Sequence, residues 1–208
     1  MDQFPADTAL IVIDVQVDFC PGGALAVEDG SAVVPLINPL MDRFSTVVLT
    51  QDWHPAGHHS FAAAHPAKAP FEMVEMPYGP QVLWPEHCVQ GTPGAAFHPD
   101  LRTDPAQLVI RKGFRHRIDS YSAFFENDRR TVTGLRGYLS ERGVRSLVLV
   151  GLATDYCVRH SAVDAARLGF QVTVAEDACR AIDLGGSLAE AHAEMAESGV
   201  RVVPSFAL

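Results

Sequence analysis

The sequence predicts an α/β domain: a parallel β-sheet with helices on both faces. Three observations carry this. Apolar, β-branched runs recur, as in residues 9–15 (ALIVIDV) and 46–50 (TVVLT), and near-continuous apolar runs belong to strands buried on both faces. Between them lie segments with apolar residues at helical spacing, and strands that alternate with helices build parallel sheets. Polar residues capable of chemistry follow the runs directly, at the strand ends where such sheets bind ligands.

Residues 9–15 are the first strand, and residues 16–30, with Pro21, Gly22 and Gly23, a loop. Residues 31–44 carry Val33, Val34, Ile37, Leu40, Met41 and Phe44 at helical spacing, although Pro35 and Pro39 weaken a helix. Residues 46–50 and 108–111 are the second and third strands. A helix over 131–142 closes at Gly143, and residues 146–150 form a fourth strand that turns at Gly151. Thr154 and Asp155 stand where the next helix starts, with Cys157 in its first turn and Gly169 at its end. Residues 171–175 are a fifth strand, 187–198 a helix, and 200–203 a last strand. Residues 51–105 break the pattern: they hold nine of the 14 prolines and six of the nine histidines. A loop of that length is functional or disordered. Its aromatic content argues for an ordered insertion over the sheet's carboxyl edge, within one domain spanning 1–208.

The chain has 208 residues, 48% hydrophobic and 20% charged, which suits one sizeable core. A net charge of −9 argues against a general nucleic-acid surface. The opening MDQFPADT is acidic and the first apolar run is broken at Asp14, which predicts no signal peptide. No apolar run approaches a membrane span. Cys20, Cys88, Cys157 and Cys179 are spread without a CxxC pair, as expected of free thiols in a reducing cytoplasm. Only two of the 16 basic residues are lysines, Lys68 and Lys112. A lysine kept in an arginine-rich chain suggests a need for a compact ammonium.

Asp14, Lys112 and Cys157 fall at predicted strand ends, Asp14 after LIVI, Lys112 after LVIR and Cys157 after the fourth strand and its turn, so a parallel sheet lets them converge. A buried Asp or Lys is costly unless paired. Together a carboxylate, an ammonium and a thiol make a nucleophilic unit. A thiol at a helix start also meets unpaired backbone N–H groups, which favour the thiolate and suit an oxyanion. The plainer alternative is a structural Asp14–Lys112 pair beside an inert Cys157. Asp52 and His54, two apart in extended chain, project to one face and suit a divalent metal; His58, His59, His65, His87 and His98 are candidates for a third ligand. Asp155 reads as a helix-start residue, and His98, His116, His160 and His192 as surface or helix-face residues.

The stretches DVQVDFCPGGALAV, QDWHPAGHHSF, LWPEHCVQGTPGA, IRKG and VGLATDYCVRHSAVDA, in that order, resemble the nicotinamidase/pyrazinamidase family of isochorismatase-like cysteine hydrolases. The resemblance runs over nearly the whole chain. It implies a six-stranded parallel sheet of the isochorismatase-like, Rossmann-like three-layer kind, and hydrolysis of a linear carboxamide, nicotinamide, to nicotinate and ammonia. It makes Asp14, Lys112 and Cys157 the catalytic residues and Ala153 and Cys157 the oxyanion donors, after a cis Leu152–Ala153 peptide. It makes Asp52, His54 and His87 the ligands of one divalent ion, zinc before iron or manganese, with His58 or His59 as a further ligand. Phe19, Trp84 and Tyr121 match positions packed around the pyridine ring. A role in NAD salvage and activity on pyrazinamide follow from the resemblance alone, and a homo-oligomer is left open. Two other readings stand beside it: a related amidase for an N-carbamoyl or ureido substrate, and a metal-binding or redox-sensing protein.

Overall fold

In chain order the strands are β1 (Thr8–Ile13), β2 (Thr46–Asp52), β3 (Met73–Met76), β4 (Gly79–Val82), β5 (Leu108–Lys112), β6 (Ser146–Leu152), β7 (Gln171–Arg180) and β8 (Arg201–Val203). The helices are α1 (Val34–Met41), α2 (Leu135–Glu141), α3 (Arg159–Arg167) and α4 (Ser187–Glu197). The computed structural model describes residues 3–208. β1 and β2 are buried at every position, as their apolar runs require of central strands. Six strands form a parallel sheet in the order β5-β2-β1-β6-β7-β8.

This order positions the site. The chain moves outward from β1 through β2 to β5, then returns to β6 and moves outward the other way. Right-handed crossovers place α1 on one face and α3 and α4 on the other, and α3 and α4 pack on each other. The direction reverses between β1 and β6, and such a reversal opens a crevice at the strands' carboxyl ends. Asp14 leaves β1 and Cys157 follows β6 at that point. The parallel register sets Asp52, the last residue of β2, beside Lys112, the last of β5.

Several predicted boundaries shift for local reasons. The first helix begins with a 3₁₀ turn (Gly30–Val33), and α1 takes Pro35 in its first turn, where no N–H is needed. The predicted helix over 131–142 starts only at Leu135. Before it, Thr131 Oγ1 donates to Asp128 Oδ2 (2.7 Å) and Thr133 Oγ1 to Ala123 O (2.6 Å), bonds that compete with helix. β7 runs on to Arg180. Gly151 is no turn: it lies within β6 at φ 116°, and a Cβ there would sit 2.1 Å from Ile13 O. The glycine lets β6 approach β1. The chain turns instead at Ala153, after a cis Leu152–Ala153 peptide, and enters a π-helical turn (Thr154–Val158) that carries Cys157 and leads into α3.

Residues 53–107 add no strand to the main sheet. They do contain the antiparallel β3–β4 hairpin, which Pro80 and the four-residue strands hid from periodicity. The segment is tied to the loops beyond the sheet's carboxyl edge, with Trp53 N donating to Lys112 O (2.9 Å) and Val17 N to Ala96 O (3.0 Å). All four cysteines are free and buried. Among the described residues no helix is long and apolar enough to cross a membrane. His160 is not a free surface group: its ring lies 5.2 Å from that of Tyr121, and its Nε2 faces Arg159 Nη2 at 2.9 Å.

Two outcomes are expected. Gly151→Ala combines a positive φ with a backbone clash and should lower stability by roughly 2–3 kcal/mol, read as a lower urea midpoint at constant m-value. Burial and the neighbouring Arg159 push the His160 imidazole down to about 3. An unfolded histidine takes its proton near ~6.5. The contribution of neutral His160 is therefore complete above that pH and lost as pH falls from there toward about 3. His160→Gln should flatten the pH dependence of the urea midpoint across this window.

Candidate active site

Lys112 is the hub. Its Nζ lies 2.8 Å from Asp14 Oδ2, 2.5 Å from Asp52 Oδ1, 3.0 Å from Ser120 O and 3.4 Å from Cys157 Sγ. Asp14 and Lys112 are wholly buried, and Cys157 is 7% exposed. The carboxylate and thiol atoms of Asp14, Asp52 and Cys157 all lie within 4.8 Å of one another. The three residues read from separate strand ends thus meet at one ammonium. Asp14 adopts left-handed backbone (φ 46°), a conformation uncommon outside glycine that marks a functional constraint. Thr50 holds it there: Thr50 Oγ1 donates to Asp14 Oδ1 (2.7 Å) and accepts from Asp14 N (3.1 Å).

The charges decide the resting protonation. Burial pushes the Asp14 carboxyl up, against the pull of Lys112. Burial also opposes ionisation of Asp52, but Lys112 and His54 outweigh it and hold that carboxyl well below the usual range. Burial works against the charge on Lys112, yet Asp14 and Asp52 hold it well above the usual amine range. Burial pushes the Cys157 thiol well up; Lys112 opposes this, while Asp14 and Asp52 add to it. One ammonium cannot balance two carboxylates and a thiolate. Burial and the neighbouring carboxylates therefore outweigh the backbone donors of the helix start. The thiol rests protonated, with the Asp14 carboxylate beside it as acceptor.

A second constellation adjoins the first. Asp52, His54 and His87 bring one ligand atom each within 4.8 Å of one another. Asp52 Oδ2 is 3.5 Å from His54 Nε2 and 3.7 Å from His87 Nε2. The other ring nitrogens face carbonyls: His54 Nδ1 to Gly113 O (2.9 Å) and His87 Nδ1 to Pro85 O (2.8 Å). A carbonyl only accepts, so each Nδ1 carries a hydrogen, and in the neutral ring each Nε2 keeps a lone pair facing the carboxylate. Two such lone pairs and a carboxylate fit a divalent cation, which would take the place of the imidazole proton. Gly113 is required here, since a Cβ would lie 2.4 Å from the His54 ring.

The other proposed ligands are placed differently. The Nδ1 of His58 accepts from Ser60 N (3.1 Å), and its Nε2 faces Arg115 O (2.9 Å) and Ile118 O (3.2 Å). His58 groups instead with His54 and Asp119, outside the Asp52–His87 group. His59 packs its ring on His116 (4.9 Å) and His65 (6.3 Å), away from both groups. Phe19, Trp84 and Tyr121 line one small cavity together with Asp52, His87, Ala153 and Cys157. Leu25, Asp119, Tyr156 and Ile182 complete its wall. Tyr121 is fixed by Trp84 Nε1 (3.1 Å) and Gln81 Nε2 (2.8 Å), both donating to its hydroxyl. A larger cavity of ≈ 460 Å³ shares Tyr121 and Tyr156 but reaches none of Asp14, Lys112 and Cys157.

Sequence reasoning missed the residues that hold these groups. Gln16 Nε2 donates to Asp52 O (2.9 Å) and Gln16 Oε1 accepts from Asp52 N (2.8 Å), which fixes the end of β2. Asp18 Oδ2 accepts from Cys88 N (2.7 Å), holding the left-handed Cys88 (φ 46°) beside His87. Both sit in DVQVDF, so the motif carried the signal without its reason. Thr50 and Asp119 had no signal; Asp119 Oδ1 lies 3.9 Å from His54 Nε2. Asp155 stands in the first turn of the helical segment, as read, and its carboxylate is also a buried acceptor for three groups in residues 182–187.

Residues 8–205 match the isochorismatase domain family. The chain is 56% identical to a nicotinamidase of Acinetobacter baylyi over 197 residues, covering 95% of this chain and 92% of that protein. It superposes on a nicotinamidase/pyrazinamidase structure from Acinetobacter baumanii with a TM-score of 0.97 and 56% identity, covering 99% of each chain. A pyrazinamidase of Pyrococcus horikoshii in complex with zinc gives a TM-score of 0.76 and 35% identity, covering 95% of this chain and 99% of that one. The sheet order, the buried Asp–Lys–Cys cluster and a match over nearly the whole length lead to one conclusion: the chain belongs to the isochorismatase family.

Proposed function

We propose that the chain is a nicotinamidase, an amidohydrolase that converts nicotinamide and water to nicotinate and ammonia, and that it also accepts pyrazinamide. The observation that carries this is one cavity faced by Cys157, by Asp52 and His87, and by the aromatic rings of Phe19, Trp84 and Tyr121. A flat heteroaromatic amide suits that combination. The relatives' 56% identity supports the same substrate class. The chain works as a single domain in which the 51–105 segment supplies Trp84 and the metal-binding imidazoles, the flanking loops supply Phe19 and Tyr121, and the turn after β6 supplies the nucleophile.

Asp52, His54 and His87 would hold one divalent ion, zinc by analogy with the Pyrococcus horikoshii relative. When bound, the ion supplies a Lewis-acidic anchor for the pyridine nitrogen. Phe19, Trp84 and Tyr121 then hold the ring so that its carboxamide meets Cys157, and such positioning can contribute several kcal/mol. Asp14 takes the thiol proton as sulfur bonds to the carbonyl carbon. Lys112 stays protonated and offsets the charge between the two carboxylates. The N–H groups of Ala153 and Cys157 stabilise the tetrahedral oxyanion, each donor worth about 10²–10³ in rate. Asp14 returns its proton to the departing nitrogen, and ammonia leaves a thioester on Cys157. Asp14 next deprotonates the attacking water, the C–S bond breaks, and nicotinate leaves with the thiol restored. The product feeds NAD salvage.

Ammonia release from nicotinamide, measured against ureido substrates with and without chelator, tests the assignment; preference for a ureido substrate would overturn it. Cys157→Ala is expected to lower kcat by on the order of 10⁴ or more with metal content intact, and appreciable residual turnover would exclude the thioester route. His87→Ala should leave well under one metal ion per chain with an unchanged circular dichroism spectrum. Full metal occupancy in that variant would remove His87 from the ligand set.

A further inference from the structure

Asp155 stands two residues before Cys157, wholly buried, and takes no part in the reaction above. Its Oδ1 accepts from Ile182 N (3.0 Å), and its Oδ2 accepts from Asp183 N (2.8 Å) and Ser187 Oγ (2.5 Å). All three donors belong to residues 182–187, which lead from the end of β7 to the first residue of α4. That segment bends through three residues of positive φ: Asp183 (53°), Gly185 (62°) and Gly186 (90°). Leu184 at its centre is 37% exposed. Residues 183–186 are exposed, so the middle of the segment has little packing of its own. Yet its first residue, Ile182, lines the same cavity as Cys157, and α4 beyond it packs on the turn that holds both Asp155 and Cys157.

We propose that Asp155 is a positioning residue for substrate binding: it clamps residues 182–187 onto the Cys157 turn and thereby fixes Ile182 as a wall of the ring-binding cavity. This rests on the nicotinamidase reading. A carboxylate suits the task because both oxygens accept, and charge-assisted bonds to N–H and O–H donors are the stronger kind. An asparagine keeps the shape but offers one accepting oxygen and turns an NH₂ group toward the remaining donors. The substitution therefore releases the wall while leaving Asp14, Lys112 and Cys157 in place. A wall that touches the ring equally in ground and transition state contributes uniform binding, so its loss raises KM and spares kcat.

The experiment uses the full metal-loaded chain and nicotinamide. Asp155→Asn should raise KM about tenfold, the scale of one lost charge-assisted bond, with kcat within about twofold and metal content unchanged. Ile182→Ala should raise KM as well, and adding Asp155→Asn to it should then do little more, because both act through one side chain. Ser187→Ala removes a single donor and should raise KM by a smaller factor; it serves as the test variant if Asp155→Asn does not fold. An unchanged KM in the variant used, a loss confined to kcat, or additive effects of Asp155→Asn and Ile182→Ala would overturn the proposal. Turnover by the wild type with an unmoved KM in the variant overturns this inference alone. No turnover by the wild type overturns the nicotinamidase reading and this inference with it.

Discussion

One ammonium between two buried carboxylates is the interaction on which the rest of this molecule depends. Lys112 lies within 2.8 Å of both Asp14 and Asp52, at the carboxyl edge of the sheet and away from water. Two carboxylates this close would not both ionise alone, since each raises the proton affinity of the other. The ammonium lets Asp52 stay fully charged and leaves Asp14 poised as an acceptor next to Cys157. Removing one partner from such a buried pair is more damaging than the pair's own net contribution, because an uncompensated charge remains. The parallel register that sets Asp52 opposite Lys112 is thus a functional requirement as much as a packing one.

Labour is divided between sheet and loops. The strands bring charge and nucleophile together with little freedom, because β1, β2 and β6 are pinned by neighbours on both sides. The proline- and histidine-rich segment brings Trp84 and two imidazoles, while Phe19 and Tyr121 come from loops outside it. The segment is tied in by backbone bonds such as Val17 N to Ala96 O as well as by side chains. Gln16 and Asp18 from the first loop grip the end of β2 and the Cys88 turn, so the two layers share their supports. Asp155, in the turn that carries Cys157, accepts from Ile182, Asp183 and Ser187 in the same manner.

What could be read from the chain follows from how local each signal is. The strands were legible because buried parallel strands are long apolar runs, and Asp14, Lys112 and Cys157 stood out as polar residues at their ends. Asp52 and His54 were legible as an i, i+2 pair. The hairpin at β3 and β4 was not, because Pro80 interrupts a four-residue strand. Thr50 looked like any β-branched strand residue, and Asp119 like any loop acid; only the fold brings them to Asp14 and His54. Gly151 was read as a turn because a glycine after an apolar run usually is one. Its real reason, the close approach of Ile13 O, is a contact made 138 residues away along the chain. The backbone donors near Cys157 and its neighbour Asp14 were legible from the chain, whereas the approach of Asp52 to the same thiol comes only with the fold.

The cation comes from the sheet's outermost strand. β5 pairs only with β2, so its other edge has no strand neighbour, whereas Asp14 and Asp52 come from strands paired on both sides. Fraying at an edge is the least costly local opening of a sheet. If β5 peels away, Asp14 and Asp52 are left confronting each other in a dry cleft, and their repulsion works against re-closure until one takes a proton. The same event withdraws Gly113 O from His54 and frees the ring nitrogen it fixes. Chemistry and ligand geometry would then be lost together, while the central strands stay folded. The docking of this one edge strand therefore sets the spacing of the buried charges and the orientation of the His54 ring together.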